Sequence, residues 1–126
     1  MKPFINFTNH HSSQWSQKQT EYAHRYGEIE DIPFPDISPD LTNDELYSLA
    51  EKYVLILLSK KPCCILCQGE SVFSTLIVSM LIKKHIPVVA AVSKRTVKES
   101  TNENGQTIKH AIFEFTGFRK YILDCP

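Results

Sequence analysis

Residues 63–93 read CCILCQGESVFSTLIVSMLIKKHIPVVAAVS, and the folding of this stretch decides the architecture. CILCQ is short, apolar and made of small side chains, which predicts a strand over 64–68. The pattern that follows predicts a helix from about Glu70 to Lys84. IPVVAAVS, residues 86–93, is a continuous apolar run, the mark of a strand covered on both faces. Strand, helix and strand in this order carry the chain back to start a second strand in the same direction, so the sheet is expected to be parallel.

The same alternation extends toward the N-terminus. FINFT, 4–8, reads as a buried strand. After the polar loop NHHSSQWS, residues 16–26 form a helix with Ser16 as cap and Gly27 as terminator. EIEDIPF, 28–34, reads as a short strand ending at prolines, and PFPDISPD as a loop. Thr42 or Asn43 caps a helix over about 43–60, in which Leu46, Leu49, Ala50, Tyr53, Val54 and Leu57 make an apolar stripe at helical spacing. Downstream, RTVKEST and QTIKHAIFEF flank a turn signal at Asn104-Gly105, which predicts an antiparallel hairpin appended to the parallel core. The expected fold is therefore α/β: one domain over residues 1–126, a mostly parallel sheet with helices on both faces, and a C-terminal antiparallel hairpin.

A chain of 126 residues fits a single domain with its own core. Apolar residues make up 42% and charged residues 22%, with a net charge of zero, so no global attraction to nucleic acid or membrane is encoded. The charges are segregated, however. Residues 21–45 carry eight acids and one base, Arg25, whereas residues 83–120 carry eight bases and three acids. An anionic ligand is expected to meet the second half. MKPFINFTNHH is too short and polar for a signal peptide, and VLILLS is far below membrane-spanning length. The expected location is the cytoplasm, with reduced thiols.

Three of the four cysteines lie within five positions, at Cys63, Cys64 and Cys67. Cys64-x-x-Cys67 has the spacing of a zinc knuckle or a redox pair. A structural zinc site needs four ligands, and the remaining cysteine is Cys125, near the chain end. On a strand, positions i and i+3 face opposite ways. The cysteines therefore read first as small buried apolar residues, and no metal site is expected.

Three loops carry polar chemistry, and a parallel sheet opens all three at its carboxyl edge, where open α/β sheets bind ligands. The first, residues 8–13, begins at Thr8 and supplies Asn9, His10, His11, Ser12 and Ser13, with a histidine able to move protons near neutral pH; it also reads as a plain polar turn. The second is Gln68-Gly69-Glu70-Ser71. A helix N-terminus there offers free N–H groups suited to phosphate, although the Glu70 carboxylate opposes an anion and is equally a first-turn acid favoured by the helix dipole. Gly69 allows close approach or a positive φ. The third is Ser93-Lys94-Arg95, in which Arg95 can hold a phosphate with two hydrogen bonds or form part of a solvated basic turn. Arg119, in GFRKY, is a weaker ligand candidate.

Asn9-His10, Gln68-Gly69-Glu70, Ser93-Lys94-Arg95 with Glu99, and Phe118-Arg119-Lys120-Tyr121 occur in an order that resembles the small stand-alone CRISPR-associated proteins with a CARF-like, Rossmann-like fold. The likeness spans nearly the whole chain through short motifs. In that family an aromatic residue and a threonine often follow the Gln-Gly-acid step; Ser71-Val72-Phe73-Ser74 departs from this, and His11 is an additional histidine. The resemblance implies binding of cyclic oligoadenylate, the second messenger of type III CRISPR defence. It further implies a homodimer around the ring and, in ring nucleases, metal-independent and cofactor-free cleavage through the substrate's own 2′-hydroxyl. His10, Glu70 and Arg95 are then the expected catalytic residues. Thr8, Asn9, His11, Ser12, Gln68, Gly69, Ser71, Ser93, Lys94 and Arg119 are the expected ligand contacts, with no membrane or DNA partner. Two alternatives stand beside this expectation: a sensor or sequestering protein that binds the ring without cutting it, and a thiol-redox or zinc protein built on the 63–67 cysteines.

Overall fold

A computed structural model describes residues 2–123; Cys125 lies outside the described residues. Five strands and three helices alternate along the chain: β1 (Phe4–Thr8), α1 (Gln17–His24), β2 (Ile29–Asp31), α2 (Asn43–Ser59), β3 (Cys64–Gln68), α3 (Ser71–Lys83), β4 (Val88–Thr101) and β5 (Thr107–Lys120). The sheet order is β2-β1-β3-β4-β5. The first three pairings are parallel and the last is antiparallel, so the chain is a mixed α/β protein, mostly parallel with one antiparallel edge.

Local chemistry accounts for the helix boundaries. The Ser16 hydroxyl accepts from the Gln19 N–H at 3.2 Å and starts α1. Thr42 and Glu45 form a reciprocal capping box at the start of α2, each side chain accepting from the other's backbone N–H. Helix α3 is capped by Glu70, one residue before its first turn.

The two sheet faces bury different clusters. Ile5, Phe7, Ile65, Cys67 and Val88 pack beneath α2 and α3 together with Leu57, Phe73, Ile77 and Leu81. Phe4, Cys64, Leu66 and Val89 pack against Ala23 of α1 on the other face. Fully burying one such aliphatic or aromatic side chain contributes about 1.5–3 kcal/mol. The split follows from topology: β1 to β2 crosses one way and β2 to β3 crosses back over β1, so crossovers of one hand put α1 and α2 on opposite faces.

One element differs from expectation. The spacing predicts a strand over 86–93 followed by a separate hairpin strand, but β4 runs unbroken for 14 residues and β5 matches it. Nothing between Val92 and Thr96 ends a strand: there is no glycine or proline, and Ser-Lys-Arg-Thr tolerates extended backbone. Only Val88 and Val89 pair with β3. Beyond the bulge at Val92/Ser93, the eight pairs from Lys94–Glu114 to Thr101–Thr107 leave the sheet as a two-stranded arm. At about 3.4 Å per residue the arm reaches roughly 25 Å. Its turn closes with Gly105 at φ +77° and its N–H donating to the Asn102 carbonyl at 3.0 Å, a backbone angle that favours glycine.

Candidate functional site

The strand order changes direction at β1, whose neighbours are β2 and β3. At such a point the loops leaving two adjacent parallel strands diverge to opposite faces and open a crevice. A cleft of about 870 Å³ lies there on the α1 face, between the start of α1 and the base of the arm. Its floor is Leu66 and Ala91; Thr8, Asn9 and His10 enter from β1, Gln68 and Gly69 from β3, and Ser93 from β4. Segments from all three polar loops of the sequence thus meet in one cavity.

The β1 loop is held from below by Asn6, a polar side chain only 2% exposed within a buried strand. Asn6 Nδ2–H donates to the His10 carbonyl at 2.7 Å and to Asp31 Oδ1 at 2.7 Å, while its Oδ1 accepts from the Thr8 hydroxyl at 2.8 Å. Asp31, at the end of β2, also accepts from the Ser12 N–H at 2.9 Å and the Ser12 hydroxyl at 2.6 Å. Burial alone would raise the Asp31 carboxyl; the donors on Ser12 and Asn6, with the nearby His11 ring, outweigh it and hold the group below the usual carboxylate range. His11 Nδ1 accepts from the Ser13 N–H at 3.1 Å, which leaves its Nε2–H facing Asp31 Oδ2 at 3.3 Å. His11 and Ser12 therefore brace the loop from the Asp31 side, and His11 borders a smaller hollow of about 170 Å³ shared with Asp31 and Phe34. Asn9 and His10 are the side chains the bracing leaves exposed at the cleft.

At the β3 end, Gln68 Oε1 accepts from the Ala91 N–H at 2.9 Å. That bond fixes which way the amide lies and leaves the Nε2 hydrogens as donors. Gly69 is required sterically, because a Cβ there would meet the Phe34 ring at 2.4 Å. The close approach is made by the protein's own aromatic ring, and the positive-φ explanation does not apply. Glu70 Oε1 accepts from the N–H groups of Val72 and Phe73. The free N–H groups expected to suit phosphate are thus filled by the protein's own carboxylate, and Glu70 and Ser71 do not line the cleft.

On the arm, Arg95 stands directly opposite Phe113. Opposed antiparallel residues project to one face, so Arg95 shares the face of Phe113, which does line the cleft. Lys94, one residue away, projects to the other face with its partner Glu114, which also lines the cleft; neither Lys94 nor Arg95 is itself part of the lining. Arg119 pairs with Ala90 on the edge strand, away from the lining. Within GFRKY, Phe118 closes an aromatic cluster with Phe4, Tyr22 and Phe115 at centroid separations of 5.0–5.6 Å. Its neighbour Tyr121 donates its hydroxyl to the Cys67 carbonyl at 2.8 Å.

Sequence reasoning missed residues both in the brace and in the lining. Asn6 and Asp31 form the brace; Trp15, Lys18 and Phe113 line the cleft. The signal for Asn6 was an amide in the middle of FINFT, two residues before Thr8 and on its face. Trp15 was visible as the single tryptophan of the chain. Lys18 gave no signal, being one lysine in a polar helix.

The cysteines behave as packing. Cys64 belongs to the α1-face cluster and Cys67 to the opposite one, so one ion cannot take both. Burial pushes each thiol up to about 12, far from the thiolate range of reactive cysteines. Among the described residues, no three His, Cys, Asp or Glu side chains gather as metal ligands would. No helix among them is long and apolar enough to cross a membrane.

A family model described as the Uncharacterized protein MJ1673 family matches residues 2–119. No curated protein matches the chain.

Proposed function

This chain belongs to the Uncharacterized protein MJ1673 family, and we propose that it is a Rossmann-like, CARF-like protein that binds cyclic oligoadenylate, with cyclic tetra-adenylate as the first candidate. The observation that carries the reading is the cleft itself. It gathers Thr8, Asn9 and His10, Gln68 and Gly69, and Ser93, from three of the four segments on which the CRISPR-associated resemblance rests. The function we propose is to cut the ring and so switch off type III CRISPR signalling in the cytoplasm, as a homodimer and without metal or cofactor.

The chemistry asks little covalent work of the protein. The 2′-hydroxyl of one ribose attacks the adjacent phosphorus, the bond to the 5′-oxygen breaks, and the products are a 2′,3′-cyclic phosphate and a free 5′-hydroxyl. In-line alignment of these atoms is a positioning task. His10, whose backbone the Asn6 brace fixes while its ring stays exposed, takes or delivers a proton. Arg95, paired with Phe113 at the base of the arm, stabilises charge on the phosphoryl oxygens. Recognition through the 2′-hydroxyl selects RNA over DNA.

A second reading, a binder that does not cut, is favoured by one observation. The Glu70 carboxylate is committed to capping α3, so one of the three expected catalytic groups is already occupied. Incubation of labelled cyclic tetra- and hexa-adenylate with the protein in EDTA separates the two. Linear products ending in cyclic phosphate, lost on Arg95→Ala, are expected for the nuclease. Retained intact ring would mean a sensor, and absence of binding would end both readings.

A further inference from the structure

We propose that the cleft grips its ligand by stacking one base between the indole of Trp15 and the phenyl ring of Phe113, with Lys18 meeting the adjoining phosphate. This deepens the ring-binding reading but rests on different residues. Phe113 is 66% exposed, although Phe115, two residues on and on the same strand face, is buried among Tyr22 and Phe118. The arm therefore leaves an aromatic ring exposed among the residues that line the cleft, a flat face free to stack on a base. Trp15 lines the same cleft from the end of a short 3-10 turn. Its backbone N–H donates to the Ser12 carbonyl at 3.1 Å, and its ring packs partly on the α1-face core, which together limit where the indole can lie.

The chemistry around these rings suits a base. Gln68 presents its Nε2 hydrogens as donors, matching the ring-nitrogen acceptors of adenine. Lys18 is the one Lys or Arg in the cleft lining, where it is joined by a single acid, Glu114. One positive charge beside two flat hydrophobic rings fits a nucleotide with one phosphate in each cleft better than a bare polyanion. Stacking on aromatic side chains is a common way to hold unpaired bases.

Trp15 is the single tryptophan of the chain, so its fluorescence reports on the cleft alone. Titration of the full-length protein with AMP and with cyclic tetra-adenylate is expected to quench it saturably, while ribose 5-phosphate leaves it unchanged. Phe113→Ala is expected to weaken binding about tenfold, equal to about 1.4 kcal/mol, and Phe113→Tyr to restore it. Because the ring is exposed, the alanine variant should keep its melting temperature, and Trp15→Phe, followed by calorimetry, gives a second variant that keeps an aromatic face. If calorimetry shows the ring binding with unchanged fluorescence and with Phe113→Ala at full affinity, stacking is wrong and the ring reading survives. If AMP quenches and Phe113→Ala weakens it while the cyclic ring neither binds nor is cut, stacking stands and the ring reading falls. Quenching by ribose 5-phosphate as strong as by AMP would overturn stacking, and no response to any probe would overturn both.

Discussion

Asp31 illustrates how a residue outside the cleft can govern it. Three donors and the His11 ring converge on one carboxylate, and hydrogen bonds to a charged group are each worth about 1.5–3 kcal/mol. Asp31→Asn, which keeps the shape but turns one oxygen into a donor facing Ser12, is expected to destabilise by on the order of 1–2 kcal/mol, read as a lower urea midpoint at pH 7. The sign with pH follows from the lowered carboxyl. A group whose folded pKa is depressed contributes stability above the range where a free carboxylate titrates, near pH 4, and loses it as pH falls through the folded value. The wild-type midpoint should therefore drop more steeply in acid than that of Asp31→Asn; parallel profiles would show that Asp31 is not held low. Glu70 poses the opposite question, since its position beside Gly69 suggested chemistry and its bonds show a cap. Glu70→Asn retains a capping oxygen, so its melting temperature is expected to stay within a few degrees, and turnover of the ring within about twofold; a loss of turnover at unchanged stability would return Glu70 to the reaction. The site was legible where polar residues followed strands, as at Thr8, Asn9, His10 and Gln68. It was not legible for Asp31 or Lys18, because pairing across the fold, rather than local spacing, brings them into position.

Among the elements, the helices were readable because capping and periodicity are local: Ser16, Thr42 with Glu45, and the stripe from Leu46 to Leu57 all act within a few residues. The parallel strands were readable from their apolar runs. The arm was only half readable. Its turn at Asn102–Gly105 announced itself, but the fusion of two expected strands into β4 is decided by the length of β5, a partner some 20 residues away. An isolated two-stranded ribbon is marginally stable, and most arm residues are exposed. Its persistence beyond the sheet therefore adds little to the core. Replacing residues 96–111 with a short glycine-containing turn should leave thermal unfolding within a few degrees of wild type. The same trimming tests whether the arm serves binding: affinity for cyclic tetra-adenylate should drop at least tenfold, because the pairs from Thr96–Ile112 outward that hold the Arg95–Phe113 pair in place are lost. Collapse of the fold on trimming would instead make the arm part of the core.

At the scale of the whole molecule, the size of the cleft constrains how a ring can be held. Its 870 Å³ falls within the roughly 300–1,000 Å³ that accommodates one drug-sized ligand, the bulk of one or two nucleotides. Four joined nucleotides exceed it, so a single copy can enclose only part of a tetra-adenylate ring. The opposite side of the ring carries the same chemistry, and a second copy related by a two-fold axis would present the same Asn9, His10, Gln68 and Lys18 to it. The uneven charge of the chain is consistent with this. With bases concentrated in residues 83–120 and acids in 21–45, two copies facing each other across their arms would surround the ring's phosphates with Arg95 from both sides, and Lys18 of each cleft would add to it. Titration calorimetry is therefore expected to give one ring per two chains, and sedimentation to show the mass of a dimer in its presence. A stoichiometry of one ring per chain, with the mass of a monomer, would require the arm to fold over the cleft and enclose the ring within a single copy.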